Sequence, residues 1–453
     1  MKTTLLPPTA AAIHFFFLFA YICAIAVIPC WADAQQTRKI TLQEALGIAQ
    51  KGHEGIEVAR LQMEISRLLP AKALSTVLPH AAADAEFLRG KEGVLLSSTA
   101  ESLGITDDVA PRTQWKGTFT LSQPVRPEAL PGFIAGQNAA ASDRQSYVFT
   151  MRQILFAVTR AYFDALKQDK LMEVAEENLR LAGAQADVAK RRFEAGEVPR
   201  TDYLRSAVEV SRAQRNRQDT VHRRELANAI LKNILGISQE AWVDVEDPPG
   251  EIPVPASLEE LRSQALDHRN DLERQERLAD QAAWDLKRAY AKFLPQFDLE
   301  FKELLVDPES ITDRNNFWTL LLKFHLPVLE GTDRLLEIKQ RKYQLQQEKL
   351  RYERLRKDVL LEVQDAWFTA QTLTSTLKVA NEETALAQEN YDITAKRYKA
   401  GEATSVDVSD TFAKLVSART DMTNLSYEYQ VSLYNLQRVV GTFAQEHFEA
   451  LSD

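Results

Sequence analysis

The chain has 453 residues, 26% charged and 45% hydrophobic, with a formal net charge of −9, 16 Gly, 17 Pro and 2 Cys. An ordinary apolar fraction excludes a disordered chain, and so few glycines and prolines exclude a loop-rich or low-complexity one. The acidic balance and scattered histidines exclude a nucleic-acid partner, which needs a basic face.

Residues 1–34 read as a secretory signal: Lys2, an apolar stretch from Ala10 to Ile28, then the small-x-small triplet Ala32–Ala34. Both cysteines, Cys23 and Cys30, fall inside it, so the exported chain is expected to fold without disulfides. A lipid anchor on Cys30 is disfavoured by Pro29 before it. No later run reaches the roughly 18 apolar residues of a membrane-spanning helix. Any membrane role must then be peripheral or that of a β-barrel.

The rest is one unit written twice, and this replaces the two or three domains that length alone suggests. Phe193–Glu197 returns as Tyr398–Glu402, Ala161–Phe163 as Ala366–Phe368, Asp202 as Asp407 and Gly236 as Gly441, always 205 residues on. Nearer each start the offset is 216: Thr41–Glu44 returns as Ser257–Glu260 and Leu78-Pro79 as Leu294-Pro295. Pro124-Val125 and Pro327-Val328 are the next shared point, and the length difference falls near Arg89–Arg112. The copies span 35–243 and 258–443. Between them 244–257 carries Pro248, Pro249, Pro253 and Pro255 and reads as an extended linker, and 444–453 is a short tail.

Each copy opens with a predicted helix, Leu42 to Ser75 or Leu258 to Lys292, capped by Thr41 or Ser257 with Glu44 or Glu260 completing the box. A strand pair follows, then two long helices joined at a Gly196 or Gly401 turn. The strands alternate with period two: Phe297, Leu299 and Phe301 against polar neighbours, then Trp318, Leu320, Leu322 and Phe324, with Leu321 the exception. In the first copy Trp115, Phe119 and Leu121 alternate with Lys116, Thr118 and Thr120, and His80–Leu88 is weaker. The long helices carry a heptad, Val359, Val363, Ala366, Ala370 and so on to Tyr398, matched by Ile154, Val158, Ala161 and Ala165 through Phe193. Such a 3.5-residue period forces coiled-coil packing, and Gln137 to Glu194 alone gives roughly 85 Å of helix.

The same alternation would suit a half-buried sheet on a soluble core. This chain offers no second apolar layer to cover it. Four strands cannot close a membrane barrel, and an open sheet in lipid leaves backbone groups unpaired, so strands that span a membrane require several chains.

On the duplicated helix–strand–strand–helix–helix order, the Leu-Pro and Pro-Val marks and the two Gly-Glu turns with Asp202 and Asp407, the chain resembles the TolC-like outer-membrane efflux protein family. The resemblance covers nearly the whole mature chain. It implies a mainly α fold with a small membrane β-barrel: long coiled-coil hairpins forming an α-barrel tunnel, and four strands per chain completing a 12-stranded barrel in a homotrimer. It further implies an exit duct, not an enzyme, in the outer membrane of a Gram-negative bacterium, with a periplasmic helical portion. Its partners would be outer-membrane lipid, a periplasmic adaptor (membrane fusion) protein and an inner-membrane transporter of RND or ABC type. Substrate, efflux or type I secretion, stays open. A secreted periplasmic or surface coiled-coil structural or adhesion protein is the alternative.

No nucleophile, cofactor motif or metal-ligand spacing is found: the histidines are isolated, and Met63, Met151, Met172 and Met422 are too dispersed for a copper path. Asp407 and Asp410, three apart on one helix face, would form a ring of acids in a trimer that concentrates cations. The alternative is that they cap a helix N-terminus. By resemblance Asp407 and Asp410 line the periplasmic gate, and Tyr398 and Asp202 help to lock it. The family's arginine near the second turn is replaced by Ala403, with Arg200, Arg397 and Lys399 the candidates to take its part. The turns, Gly196, Glu197 and Arg200 with Gly401, Glu402 and Ser405, would meet the adaptor.

Overall fold

The computed structural model describes residues 39–89, 113–240, 243–248, 257–307, 316–328 and 331–444. The expected signal (1–34), much of the Pro-rich linker and all but the first residue of the tail lie outside the described residues. In chain order the elements are β1 (Lys39–Ile40), α1 (Leu42–Gly52), α2 (Glu54–Arg67), α3 (Leu69–Ser75), β2 (His80–Arg89), β3 (Thr113–Val125), α4 (Ala129–Glu194) and α5 (Arg200–Leu235). The second copy continues as β4 (Asp244–Val245), α6 (Leu258–His268), α7 (Asn270–Ala291), β5 (Gln296–Asp307), β6 (Asn316–His325), α8 (Asp333–Ala400) and α9 (Ser405–Val440).

The hairpins form as the heptad requires. Of the second-copy seam, Val359, Val363, Ala366, Ala370, Ala380, Tyr391 and Tyr398 are buried, and α8 packs along α9. Alanine at so many seam positions lets the backbones approach closely. Helix α4 is the most enclosed: α5, α7, α9 and the short helices α2 and α3 all pack on it, so its buried residues are not confined to one stripe. At 66 and 68 residues, α4 and α8 each reach about 100 Å at a 1.5 Å rise.

The opening helix of each copy is broken where the pattern predicts one continuous helix. The breaks fall at His53 and Arg269, equivalent positions of the repeat, and neither is a Pro or Gly. Tertiary docking accounts for them. Helices α5 and α9 end at Gly236 and Gly441 in left-handed conformation, φ 69° and 88°. A Cβ there would sit 2.7 Å from the Gly52 carbonyl or 2.8 Å from that of His268, so only glycine lets the long-helix end lie against the broken turn. His53 Nδ1 then accepts the Gly55 N–H at 3.0 Å as a cap. At the second joint Arg269, 8% exposed, pairs with Asp271 at 2.6 Å and Glu362 at 2.5 Å. A further break at Leu68 precedes Pro70 at the start of α3.

Two apolar cores are repeat-related. Ala45, Ala49, Ile56, Val158, Ala161, Leu231 and Leu235 in one correspond to Leu261, Ala265, Leu272, Val363, Ala366, Leu436 and Val440 in the other. The linker is not wholly irregular: β4 pairs in parallel with β1, and Tyr162 bridges the two by donating to the carbonyls of Ile40 and Glu246.

The four longer strands form one antiparallel sheet in the order β2-β3-β5-β6. Cross-strand partners place Ala81, Ala83, Ala85, Phe87, Trp115, Phe119, Leu121, Phe297, Leu299, Phe301, Trp318, Leu320, Leu322 and Phe324 on one face. The opposite face carries Glu86–Lys116 at 3.6 Å, Glu300–Lys323 at 2.6 Å and, at its base, Asp298–Arg126 at 2.8 Å. On the apolar face Trp318, Leu320, Leu322 and Phe324 are 58–69% exposed, with nothing among the described residues covering them.

Candidate functional site: the paired hairpin tips

The far ends of the hairpins come together. Both turns use the same backbone solution: Gly196 (φ 76°) and Gly401 (φ 84°) are left-handed. The Glu197 and Glu402 N–H groups each bond at 2.8 Å to the carbonyl of the arginine five residues back, Arg192 or Arg397.

The next helices begin differently. At α9 Thr404 and Asp407 form a capping box: the Asp407 N–H donates to Thr404 Oγ1 at 3.2 Å, and the Thr404 N–H to Asp407 Oδ2 at 2.9 Å. The bond from the Thr404 backbone, aided by its hydroxyl, holds the Asp407 carboxyl below the usual aspartate range. At α5 the equivalent of Thr404 is Pro199, which has no hydroxyl and gives no side-chain cap. Asp202, the repeat partner of Asp407, is therefore not held in a box.

Asp202 instead lines a small cavity between the hairpins with Tyr398, Ser206, Glu209, Tyr391 and Ser405. Tyr398 is 1% exposed. Burial, and next the Asp202 charge, push its phenol above the usual tyrosine range. The structure thus brings Tyr398 and Asp202 to one cavity without a direct hydrogen bond between them. Asp410 is exposed and pairs with Lys414 at 2.8 Å on its own helix.

The ties across the tips come from two arginines that no sequence pattern singles out. Arg192 of α4, 16% exposed, donates to the Tyr398 carbonyl at 2.6 Å and to Glu197 at 3.0 Å, with its guanidinium 4.9 Å from the Tyr398 ring centroid. Arg205 of α5 donates to Ser405 Oγ at 2.8 Å. Of the arginines expected to replace the missing one, Arg397 reaches only the Glu402 carbonyl of its own turn, at 3.4 Å. The one available signal is the repeat itself, which makes Arg192 the partner of Arg397.

Ser405 needs correction. The sequence places it on an outward turn, but it is 7% exposed, because the first turn of α9 packs against α5 and Arg205 bonds it. Gly196, Glu197, Arg200, Gly401 and Glu402 are exposed at the tips. Among the described residues no group of three or more His, Cys, Asp or Glu is placed to hold a metal ion, and no helix is long and apolar enough to cross a membrane.

Residues 261–442 match the family model described as outer membrane efflux protein. The chain is 22% identical over 405 residues to outer membrane protein TolC of Escherichia coli, covering 84% of this chain and 78% of TolC. It is 21% identical over 379 residues to outer membrane efflux protein BepC of Brucella suis, covering 78% and 81%. Its fold superposes with a TM-score of 0.77 on the Campylobacter jejuni CmeC outer membrane channel, at 16% identity, covering 89% of this chain and 86% of that one. Family model, relatives and fold agree in what this chain is similar to, the outer membrane efflux proteins and channels.

Proposed function

We propose that this chain is one third of a passive outer-membrane exit duct, which takes substrate from an inner-membrane transporter through a periplasmic adaptor. One observation carries the reading: a four-stranded sheet with an uncovered apolar face and two open edges sits on coiled-coil hairpins about 100 Å long. On the lipid-side face of β5, Phe297, Leu299, Phe301 and Leu305, with Glu303 the exception, span a run close to the roughly 9–11 residues a tilted strand needs to cross a membrane. Aromatic residues mark both rims, Phe297 with Phe324 at the tunnel side and Phe87 with Trp115 at the other.

A single such sheet would leave two rows of backbone groups unpaired in lipid, whereas three copies closing on one another form twelve strands with no edge. The hairpins support the same assembly. Away from its seam with α9, helix α8 exposes Leu361, Phe368, Val379, Leu386 and Ile393, spaced largely by sevens, a second apolar stripe suited to the next copy's helices.

In such a duct the hairpin tips form the periplasmic entrance. Asp407 and Asp410 of three chains ring the axis and favour cations, with Asp407 both capping its helix and charging the ring. Tyr398, Asp202, Arg192 and Arg205 hold the two hairpins of each chain together there, and Gly196, Glu197, Arg200, Gly401 and Glu402 face the adaptor. Passive conduction needs no covalent catalysis.

Cell fractionation tests the proposal. Recovery with outer membranes, released only by detergent, is expected. Recovery in the soluble fraction after osmotic shock would replace the duct with a secreted coiled-coil protein.

A further inference from the structure

Within each copy the repeat fixes strand register residue for residue. Shifting β2 by 216 and β3 by 203 carries the pair Ala81–Leu121 onto Phe297–Phe324, and Glu86–Lys116 onto Lys302–Thr319. Both shifted pairs are observed partners in the β5–β6 ladder. The remaining ladder, β3–β5, joins the two copies inside one chain. Its repeat image joins β6 to the β2 of another chain, and those two strands are the open edges of the sheet.

Resting on the duct reading above, we propose that β6 pairs antiparallel with β2 of a neighbouring copy in the register that sets Lys323 opposite Glu86 and His325 opposite Asp84. These pairs are the images of Thr120–Lys302 and Ser122–Glu300 inside the chain. Three features converge on this register. It keeps the faces in phase, placing Leu322 opposite Phe87 and Phe324 opposite Ala85 on the apolar side. Where the internal seam sets the charged Glu303 beside Phe119, the seam between copies gets an apolar pair.

It also matches base to acid at both polar positions, and it does so with groups that reach solvent. The Lys323 side chain is 51% exposed and that of Glu86 68%. Within one chain Lys323 already contacts Glu300 and Glu86 contacts Lys116, so the new pairing completes a row Lys116–Glu86–Lys323–Glu300 of alternating sign across the junction. A two-residue slip in one direction sets Lys323 opposite Asp84 and His325 opposite Ala82, which leaves Glu86 facing Leu321. The opposite slip leaves Lys323 facing Leu88. Only the repeat-derived register satisfies both polar pairs.

Cysteine pairs read this directly. Directly opposed Cβ atoms lie near disulfide distance, whereas positions displaced by two residues lie about 7–8 Å apart. The matched variants are Lys323→Cys with Glu86→Cys and His325→Cys with Asp84→Cys. The swapped controls are Lys323→Cys with Asp84→Cys and His325→Cys with Glu86→Cys. Full-length protein in detergent is oxidised with copper–phenanthroline and run under denaturing conditions, with single-cysteine variants setting the background. About tenfold more covalent dimer and trimer is expected from both matched pairs than from the swapped ones. Protein that sizes as a trimer but links through the swapped pairs, or through none, overturns the register and leaves the duct standing. Protein that sizes as a monomer overturns the duct and the register with it.

Discussion

The two hairpin tips share a turn and differ in the residue that opens the next helix. Around Gly196 and Gly401 the backbone closes identically, down to the 2.8 Å bonds from Glu197 and Glu402. Beyond the turn, Thr404 commits Asp407 to a helix cap, whereas Pro199 gives Asp202 nothing to cap and leaves it facing Tyr398 across the inter-hairpin cavity. One substitution in a duplicated unit thus turns one aspartate into a structural acid of its own helix and its twin into a group acting between helices. The duplication sets the scaffold, and small departures from it set the function.

The largest effect expected tests the scaffold that both copies share. Gly441→Ala combines a positive φ with a Cβ 2.8 Å from the His268 carbonyl oxygen and should destabilise by about 2–4 kcal/mol in thermal unfolding. Gly401→Ala, with the same backbone sign but only an Arg192 side-chain atom at 3.6 Å, should cost about 1 kcal/mol. Equal losses would mean that docking at the helix breaks adds nothing beyond backbone strain.

Next in size is the tie between the tips. Arg192→Ala removes a charge-assisted bond contributing about 1.5 kcal/mol, so amide exchange around Tyr398–Gly401 should quicken about tenfold. Arg192→Lys should recover part of that protection, since it keeps the charge but loses the planar fork. The cap is smaller: Thr404→Ala should cost about 1 kcal/mol, read as faster exchange in the first turn of α9. Pro199→Thr offers Asp202 a cap, and the new bond should roughly offset the lost rigidity of proline, leaving stability within about 0.5 kcal/mol.

The smallest effect is in pH. The folded-state Asp407 carboxyl titrates below its unfolded value, so its stabilisation is complete above the ordinary aspartate range and is lost as pH falls through the depressed one. Exchange protection in the first turn of α9 should therefore stay flat from neutral pH to about 5 and drop only in stronger acid. A drop near neutral pH would assign the protection to another group.

Much of the fold is legible because it is periodic. The heptad from Val359 to Tyr398 predicts burial on α8, and the period-two runs locate the strands within a few residues. The break at Arg269 has no local signal, and at His53 the flanking Gly52 and Gly55 only weaken the helix; the long-helix ends that dock there, at Gly236 and Gly441, lie far along the chain. The ladder of β1 with β4 is two residues long, too short to leave a pattern. At the tips the same limit applies. Asp202, Tyr398 and Asp407 stand out through the repeat, but Arg192 and Arg205 act across hairpins, whereas the sequence points for the replacement arginine to residues beside the turns.

The duct itself is tested most directly by conductance across a planar bilayer. Purified protein should form long-lived, cation-selective channels, and Asp407→Ala with Asp410→Ala should keep the channels while reducing both their cation selectivity and their block by cations. A protein that inserts no channel would contradict the duct, and unchanged selectivity in the double variant would confine those acids to capping and ion pairing on α9.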